Sequence, residues 1–233
     1  VANDLLSRAK IGADQANQSK TRFLAAASHD LMQPLNAARL FSSSLSQQHP
    51  QGELANTLHH LDDSLVAAEE LISTLVEIST LDAGTISPKL SHFPADQMLQ
   101  KLAAELTLLC HQKGIEFNYV PCHATIYSDE QHLRRIVQNF LTNAMRYTPS
   151  GRVLLGCRVK QDSLEIQVWD TGVGIAPQKL NEVFDEFKRL DHPETQDIRG
   201  LGLGLAIADR TAKLLGHSLT TKSWQGKGSL FGV

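Results

Sequence analysis

Three short segments in the second half of the chain carry residue types that suit the binding of a phosphorylated ligand. They are NFLTNAMRY (139–147), DTGVGI (170–175) and RGLGLGLAIA (199–208). Within the first, Asn139 and Asn143 lie four residues apart, so on a helix their side chains share one face. Amide oxygens are suitable ligands for Mg²⁺ that is held together with phosphate oxygens. The spacing predicts a metal-assisted phosphate site, with a solvated helix-surface amide as the alternative for Asn139.

Residues beside these amides extend the predicted site. Arg146 and Tyr147 follow on the same helix face, where the cation could pair with phosphate and the ring could border a base. Asp170 ends an apolar run, so its carboxylate lies at a strand end and could accept a hydrogen bond from an amino group. Gly172 and Gly174 remove side chains, so that the backbone of this turn can approach a ligand closely. The alternative for Asp170 is an ordinary turn aspartate.

The third segment is rich in glycine and precedes a predicted helix. Gly200, Gly202 and Gly204 fit neither the Walker pattern nor the glycine fingerprint that follows a strand in dinucleotide-binding proteins. They do lie directly before a helix, and the free amides at a helix N-terminus favour anions. We therefore expect phosphate groups at this end of the helix.

The composition limits the class of protein. The chain has 233 residues, of which 42% are hydrophobic and 20% charged, as in a globular protein of one or two domains. A formal net charge of −3 gives no basic surplus for a nucleic-acid partner. No stretch reaches the roughly 20 apolar residues of a bilayer-spanning helix, so we predict no membrane contact by this fragment. Three widely spaced cysteines favour free, buried thiols in a reducing compartment, and hence a cytoplasmic location.

The first 80 residues have the pattern of two long helices. Proline and glycine are nearly absent, and the predicted helices join near 48–53. The second helix carries apolar residues at alternating spacings of three and four, namely Leu54, Leu58, Leu61, Leu65, Ala68, Ile72, Leu75 and Leu81. One helical hairpin cannot bury such a seam well, whereas a four-helix bundle made from two copies can. We therefore predict a homodimer.

The segment LDAGTISP (81–88) separates two parts of different pattern. It concentrates glycine, serine and proline, so we place a domain boundary there, between residues 1–84 and residues 88–233. Beyond it, helices and strands are mixed, with helices predicted at 95–112, 129–146 and 203–215 and strands at 114–120, 124–128, 151–160, 163–170, 217–223 and 228–232. The predicted fold is an all-α helical hairpin followed by an α+β two-layer sandwich.

Taken together and in order, the three segments resemble the N, G1 and G2 boxes of the histidine-kinase ATP-binding domain, a fold shared with gyrase-type and heat-shock chaperone ATPases. VFDEFKRL (183–190) looks like the phenylalanine box and GKGSLF (226–231) like the last glycine box. The resemblance spans roughly 90–233. It implies that Asn143 binds the metal ion and that Asp170 binds the exocyclic amine of adenine.

The resemblance also implies a set of nucleotide-binding residues, with ATP and Mg²⁺ as cofactors. The set is Asn139, Asn143, Arg146, Tyr147, Asp170, Gly172, Gly174, Ile175, Lys188, Arg189, Gly200, Leu201, Gly202, Leu203, Gly204 and Ser229. Residues 176–199 correspond to a mobile ATP lid, in which Lys188 and Arg189 could meet the γ-phosphate or remain solvated. Phe184 and Phe187 are expected to anchor the lid by apolar packing.

The segment FLAAASHDLMQPLNAARLF (23–41) resembles the H box of histidine kinases. His29 could attack a phosphoryl group as its neutral imidazole, and Asp30 could orient the ring or take up its proton. Pro34 lacks an N–H group, so the helix should bend near the histidine and then continue. Where the family commonly has Thr or Asn, this chain has Gln33, whose amide could still hold a water for phosphatase activity. The HDLMQPL form resembles kinases that carry their own receiver domain.

These features predict the core of a two-component sensor histidine kinase. ATP would phosphorylate His29, and the phosphoryl group would pass to an aspartate on a response-regulator receiver domain. One alternative is an ATPase of the same nucleotide fold that forms no phosphoprotein. A second is a non-catalytic scaffold that dimerises and binds a partner.

Overall fold

The computed structural model describes residues 21, 27–28, 30–47, 51–84, 86–160, 163–188 and 202–233. The chain divides into two compact units, Val1–Ile86 and Ser87–Val233. Four residues of the predicted sites lie outside the described residues, namely His29, Arg189, Gly200 and Leu201.

The first unit contains two helices. In the described part, helix α1 covers 30–47 and helix α2 covers Glu53–Asp82. Pro34 lies inside α1, so the prediction that the helix continues past this proline is confirmed. Leu58 and Ile78 are buried, and Arg39 forms an ion pair of 3.1 Å with Glu69 across the two helices.

Much of the apolar surface of this unit remains uncovered in one copy. Leu40 and Phe41 on α1 are 72% and 70% exposed. The other large apolar residues exposed on the two helices are Leu31, Leu45, Leu54, Leu61 and Leu75. The predicted seam on α2 is therefore only partly buried within a single chain.

The second unit contains three helices, seven strands and two short 3₁₀ turns in its described part. The helices are α3 (Ala95–Lys113), α4 (Glu130–Arg146) and α5 (Gly204–Leu215). The strands are β1 (Ser91–Pro94), β2 (Ile115–Tyr119), β3 (Thr125–Ser128), β4 (Gly151–Val159), β5 (Leu164–Asp170), β6 (Thr220–Trp224) and β7 (Gly228–Gly232). The 3₁₀ turns are Pro177–Lys179 and Glu182–Phe184.

These elements form a sheet covered on one face by helices. The main sheet has the order β2-β4-β5-β7-β6 and is antiparallel except for the parallel pair of β2 and β4, while β1 and β3 form a separate antiparallel ribbon. Side chains from α3, α4 and the inner sheet face make one apolar core. The predicted helical hairpin followed by a two-layer α+β domain is confirmed.

Two strand predictions were incomplete. Strand β1 was not predicted, because its four residues SHFP contain proline and show no alternation of apolar and polar residues. Strand β6 begins at Thr220 rather than at residue 217, because the His217 backbone N–H still donates to the Ala212 carbonyl oxygen at the end of α5, at 2.9 Å.

Helix α4 is the most amphipathic helix of this unit, and its buried face centres on Phe140. The Asp129 carboxylate caps the helix by accepting the His132 N–H at 3.0 Å. Phe140 is 1% exposed, and its ring lies 5.6 Å from that of Phe231 on β7. Because Phe140 follows Asn139 directly, the packing of this ring fixes the rotation of the helix that carries both asparagines.

Replacing Phe140 with alanine is expected to lower the free energy of unfolding by about 3–5 kcal/mol, the cost of emptying a fully packed aromatic site. Urea denaturation followed by circular dichroism measures this change. Gln138→Ala, on the exposed face of the same helix, is the matched control and should change stability little. Equal losses in the two variants would contradict the placement of Phe140 in the core.

The cysteines and the helices of the described residues correspond to two expectations from the composition. All three cysteines are free, with Cys110 and Cys122 buried and Cys157 half-buried. Among the residues described, no helix combines the length and the apolar character needed to cross a bilayer.

Candidate functional site

The C-terminal half of α4 carries the two predicted asparagines. Asn139 and Asn143 are half-buried and lie one helical turn apart. The Asn139 Nδ2 atom is buried and has no hydrogen-bond partner among the described residues. A buried amide without a partner loses its hydration without compensation, so this atom is suited to a ligand or an ordered water.

Asp170 ends strand β5 beneath the adjoining turn and is 9% exposed. Its Oδ1 atom accepts two backbone hydrogen bonds, from Gly172 N–H at 2.9 Å and from Ser229 N–H at 3.2 Å. Burial raises the pKa of this carboxyl to about 6 despite these two donors, which act in the opposite direction. Within the described part of the chain, no hydrogen bond occupies Oδ2, so that oxygen can accept from a ligand.

The glycines around Asp170 are required by protein packing. A Cβ atom added to Gly172 would lie 2.1 Å from the Tyr147 carbonyl oxygen, and one added to Gly174 would lie 2.1 Å from that of Trp224. A Cβ atom at Gly228 would lie 1.9 Å from the Asp170 carbonyl oxygen. Protein packing therefore requires glycine at both positions, in addition to the close approach to a ligand, which stays a prediction. These glycines let three backbone segments pack together and so fix the position of Asp170.

Helix α5 begins beside the asparagines of α4. Gly204 is its first residue, and the N-cap Leu203 has no side-chain oxygen that could cap the first amides. Gly202, just before, has a φ of 69°, which glycine adopts without strain. A Cβ atom at Gly204 would lie 3.3 Å from Asn139 Oδ1, so the glycine segment and the asparagine helix lie side by side. The first backbone N–H groups of a helix can donate hydrogen bonds to an anion, so this N-terminus is suited to bind one.

The described part of the predicted lid is attached to the domain at two points. Phe184 packs against the core, as predicted. The prediction for Phe187 was wrong, because this ring is 57% exposed and its residue has a φ of 59°. Glu186 instead links this segment to α5 through an ion pair with Arg210.

Lys188 is held by carboxylates of its own segment. Its Nζ atom lies 3.0 Å from Glu182 Oε2 and 3.2 Å from Asp185 Oδ2. These two ion pairs and the accompanying hydrogen bonds raise the pKa of the Lys188 ammonium. In this conformation the cation is therefore paired within the lid, and a phosphate would have to compete with both carboxylates.

The structure brings most of the predicted nucleotide-binding residues around one surface of the second unit. Tyr147 joins α4 to the Asp170 turn, because its carbonyl oxygen accepts the Val173 N–H at 3.1 Å. Contacts connect Tyr147 with Asp170, Gly172, Gly174, Ile175 and Ser229, and Asn139 with Gly204. Asn143 and Arg146 lie on the same helix as Asn139, and Gly202 and Leu203 directly precede Gly204. Asp30 and Gln33 belong to the first unit, where both are exposed on α1.

One residue of the Asp170 surroundings was missed by the sequence analysis. Ser223 on β6 accepts the Ile175 N–H through Oγ at 2.7 Å, and its Oγ lies 2.8 Å from Ser229 Oγ. The available signal was the glycine turn at 226–228, since a hairpin around it pairs Ser223 with Ser229.

Family models match both units. The model of the His Kinase A (phospho-acceptor) domain matches residues 19–84. The model described as histidine kinase-, DNA gyrase B- and HSP90-like ATPase matches residues 128–233.

Curated relatives extend over nearly the whole chain. The autoinducer 2 sensor kinase/phosphatase LuxQ of Vibrio vulnificus (strain YJ016) is 30% identical over 94% of this chain and 27% of its own length. The aerobic respiration control sensor protein ArcB of Escherichia coli (strain K12) is 29% identical over 94% of this chain and 29% of its own length. The chain thus spans less than a third of either relative.

Two solved structures have similar folds. Full-length ShkA in complex with AMPPNP is 28% identical, with a TM-score of 0.75, over 90% of this chain and 44% of that one. The histidine kinase AdeS of Acinetobacter baumannii has a TM-score of 0.61 at 18% identity, over 88% of this chain and 96% of that one. The likeness to AdeS concerns the fold alone.

Proposed function

Since this chain is the catalytic core of a histidine kinase, we propose that it transfers the γ-phosphoryl group of ATP to His29 and from there to a receiver-domain aspartate. Residues 1–84 form the dimerisation and phosphoacceptor hairpin, and residues 88–233 form the ATP-binding catalytic domain. The observation that carries the proposal is the convergence of Asp170, the α4 asparagines and the α5 N-terminus on one surface.

The base is recognised by Asp170. Its Oδ1 atom is occupied by two backbone N–H groups, and its Oδ2 atom accepts the exocyclic amine of adenine. Guanine carries a carbonyl at the corresponding position, which would place two acceptors against each other. The site therefore favours ATP over GTP.

The phosphates lie at the N-terminus of α5, whose N-cap Leu203 has no side-chain oxygen that could cap the first amides. Asn143 supplies an amide oxygen to Mg²⁺, and Asn139 stands beside it with an unsatisfied buried Nδ2 atom. These residues fit a hard cation held together with phosphate oxygens. When bound, Mg²⁺ neutralises charge on the triphosphate. Lys188 reaches the γ-phosphate by leaving its ion pairs with Glu182 and Asp185.

Phosphoryl transfer uses a ring nitrogen of His29 as the nucleophile. A nitrogen–phosphorus bond forms as the bond from the γ-phosphorus to the bridging oxygen breaks, and ADP leaves. Asp30, the next residue on the helix, orients the imidazole or takes up its proton. The receiver aspartate then attacks the same phosphorus, the nitrogen–phosphorus bond breaks, and the imidazole takes back its proton to restore neutral His29.

A homodimer supplies the surface that a single hairpin leaves uncovered. Leu40, Phe41 and Leu45 on α1 and Leu54 and Leu61 on α2 are exposed in one copy. Pairing two hairpins into a four-helix bundle removes these apolar side chains from water. This exposed surface supports the dimer.

Gln33 supports response-regulator phosphatase activity as a second function of the hairpin. Its amide is exposed on α1, three residues after Asp30, and can hold a water by donating and accepting hydrogen bonds. LuxQ of Vibrio vulnificus, with which the chain shares 30% identity, is named a sensor kinase/phosphatase. Release of phosphate from a phosphorylated receiver, measured with wild type and Gln33→Ala, tests this activity.

The proposal is tested by incubating the protein with γ-labelled ATP and Mg²⁺ and then treating it with acid or base. Phosphohistidine is acid-labile and base-stable, so the label should be lost in acid and kept in base. Release of inorganic phosphate without labelled protein would favour the alternative ATPase. Absence of ATP binding would favour the non-catalytic scaffold.

The raised pKa of Asp170 predicts a pH dependence of ATP binding. The acceptor is present while the carboxyl is ionised and is lost as pH falls through about 6. Affinity should therefore fall by up to about tenfold per pH unit below this value. Titration calorimetry at several pH values between 5 and 8 measures this dependence. Protonation of the nucleotide itself is common to wild type and Asp170→Asn, so a pH profile shared by both proteins would refute the assignment.

A further inference from the structure

Ser223 connects three parts of the nucleotide-binding surface through one side chain. Its Oγ atom accepts the Ile175 N–H at 2.7 Å, lies 2.8 Å from Ser229 Oγ and donates to the Gly228 carbonyl oxygen at 3.2 Å. The register of β6 and β7 sets this geometry, because Ser223 is paired directly with Ser229. Ser223 is half-buried and Ser229 is 5% exposed, so these bonds are partly protected from water.

The chemistry of the groups gives the direction of two of these hydrogen bonds. The Ile175 N–H can only donate, so Ser223 Oγ accepts from it, and the Gly228 carbonyl oxygen can only accept. In the contact between Ser223 Oγ and Ser229 Oγ, either hydroxyl can be the donor.

The same network continues to Asp170. The Ser229 N–H donates to Asp170 Oδ1, while the Gly172 N–H donates to the same oxygen from the other side of the turn. Ser223 therefore links Ile175, at the end of the Asp170 turn, to β7, whose Ser229 N–H donates to the Asp170 carboxylate. Without the Ser223 hydroxyl, the Ile175 N–H would lose its acceptor and the Ser229 hydroxyl would lose its hydrogen-bond partner, both in a partly buried position.

We propose that Ser223 is a positioning residue for base recognition, acting through Ile175 and Ser229 to hold Asp170 against the amine of the base. The inference rests on the proposed function, since it assumes that Asp170 binds adenine. It adds a residue that does not touch the nucleotide.

A threonine and valine pair at position 223 separates hydrogen bonding from packing. Both residues are β-branched and favour strands, and they differ by one hydroxyl in place of one methyl group. Ser223→Val should bind ATP about 10-fold more weakly than wild type, as expected when a partly buried N–H donor and a serine hydroxyl lose their hydrogen-bond partner, and Ser223→Thr should restore most of the affinity. Thr221→Val, two residues earlier on the same face of β6, is the matched control and should bind as wild type does.

Base selectivity provides a readout that a merely structural role would not change. Titration calorimetry with ATP and with inosine triphosphate, which lacks the exocyclic amine, gives the ratio of the two affinities. Ser223→Val should reduce this ratio, because only ATP depends on the position of Asp170. Ser223→Ala, which adds no methyl group to the strand, is measured in the same way and gives the answer if the valine variant does not fold.

Three results would overturn the inference. The first is an unchanged affinity ratio in both Ser223→Ala and Ser223→Val, whether or not the two affinities fall together. The second is equal weakening of ATP binding by threonine and by valine at position 223. The third is weakening of ATP binding by Thr221→Val as large as that by Ser223→Val. Failure of the proposed function looks different, because wild type itself would then not prefer ATP over inosine triphosphate. That result would remove the inference together with the proposal.

Discussion

Replacement of His29 by alanine is expected to reduce the acid-labile phosphorylation of the protein to background while leaving ATP binding intact. The proposed reaction has one nucleophile, and alanine has no ring nitrogen to attack the γ-phosphorus. The residues proposed to bind ATP all belong to the unit Ser87–Val233, whereas His29 belongs to the other unit. Binding and phosphorylation should therefore separate completely in this variant.

His60→Ala is the matched control for this experiment. His60 is also a histidine of the first unit and is exposed on α2, so its loss removes an imidazole without touching the proposed phosphoacceptor. This variant should be labelled as strongly as wild type. Label retained by His29→Ala, or lost from His60→Ala, would show that the phosphoacceptor has been assigned wrongly.

A mixed-variant experiment extends the result to the dimer. His29→Ala keeps the nucleotide site, and Asn143→Ala keeps the histidine but loses an amide proposed to hold the metal ion. Neither variant should be labelled alone. Labelling of Asn143→Ala after mixing would show transfer between protomers, and its absence in verified mixed dimers would show transfer within one protomer.

The sequence predicted the elements whose signals are local. Helix α4 follows from one amphipathic pattern and from Asp129, whose carboxylate caps it through the His132 N–H. The position of Asp170 at a strand end follows from the apolar run before it. In each case the residues that determine the element are close neighbours in the sequence, where spacing alone determines which side chains share a face.

Features that depend on distant partners were not predictable in the same way. Gly172 and Gly174 are distinguished by the carbonyl groups of Tyr147 and Trp224, which only the folded chain places against them. Phe187 was assigned to apolar packing by its type, yet the ring is exposed. Ser223 showed no motif of its own, because its role comes from three hydrogen bonds to residues brought near by the fold.

Asp170→Asn is expected to change function and stability in opposite directions. The amide oxygen of the new side chain takes the two N–H donors that now bond to Oδ1, so its NH₂ group is left facing the base. Two donors then oppose each other when adenine binds, and ATP affinity should fall by about 100-fold, as for loss of a hydrogen bond to a charged acceptor with a donor left unpaired. Guanine and inosine nucleotides, which present a carbonyl there, should instead gain affinity, because the new NH₂ group can donate to that oxygen.

The same substitution should raise the free energy of unfolding at pH 7 by about 3 kcal/mol, because it removes a buried carboxylate that the fold holds ionised at a cost. The sign follows from the pKa, which burial raises from 3.8 to about 6. The native state binds this proton more readily than the unfolded state, so the ionised group destabilises the fold fully above pH 6. This destabilisation disappears as pH falls below 4, and with it the advantage of the variant.

Urea denaturation of wild type and Asp170→Asn at pH 7 and at pH 4, combined with calorimetric titration of ATP at pH 7, measures both effects. Asp209→Asn, which removes a partly exposed carboxylate paired with Lys213 on α5, is the matched control and should change neither quantity by much. A variant that loses both stability and ATP binding would indicate that Asp170 is held for packing. A gain of stability with a loss of binding would show that the buried Asp170 carboxylate lowers the free energy of unfolding and is needed for recognition of the base.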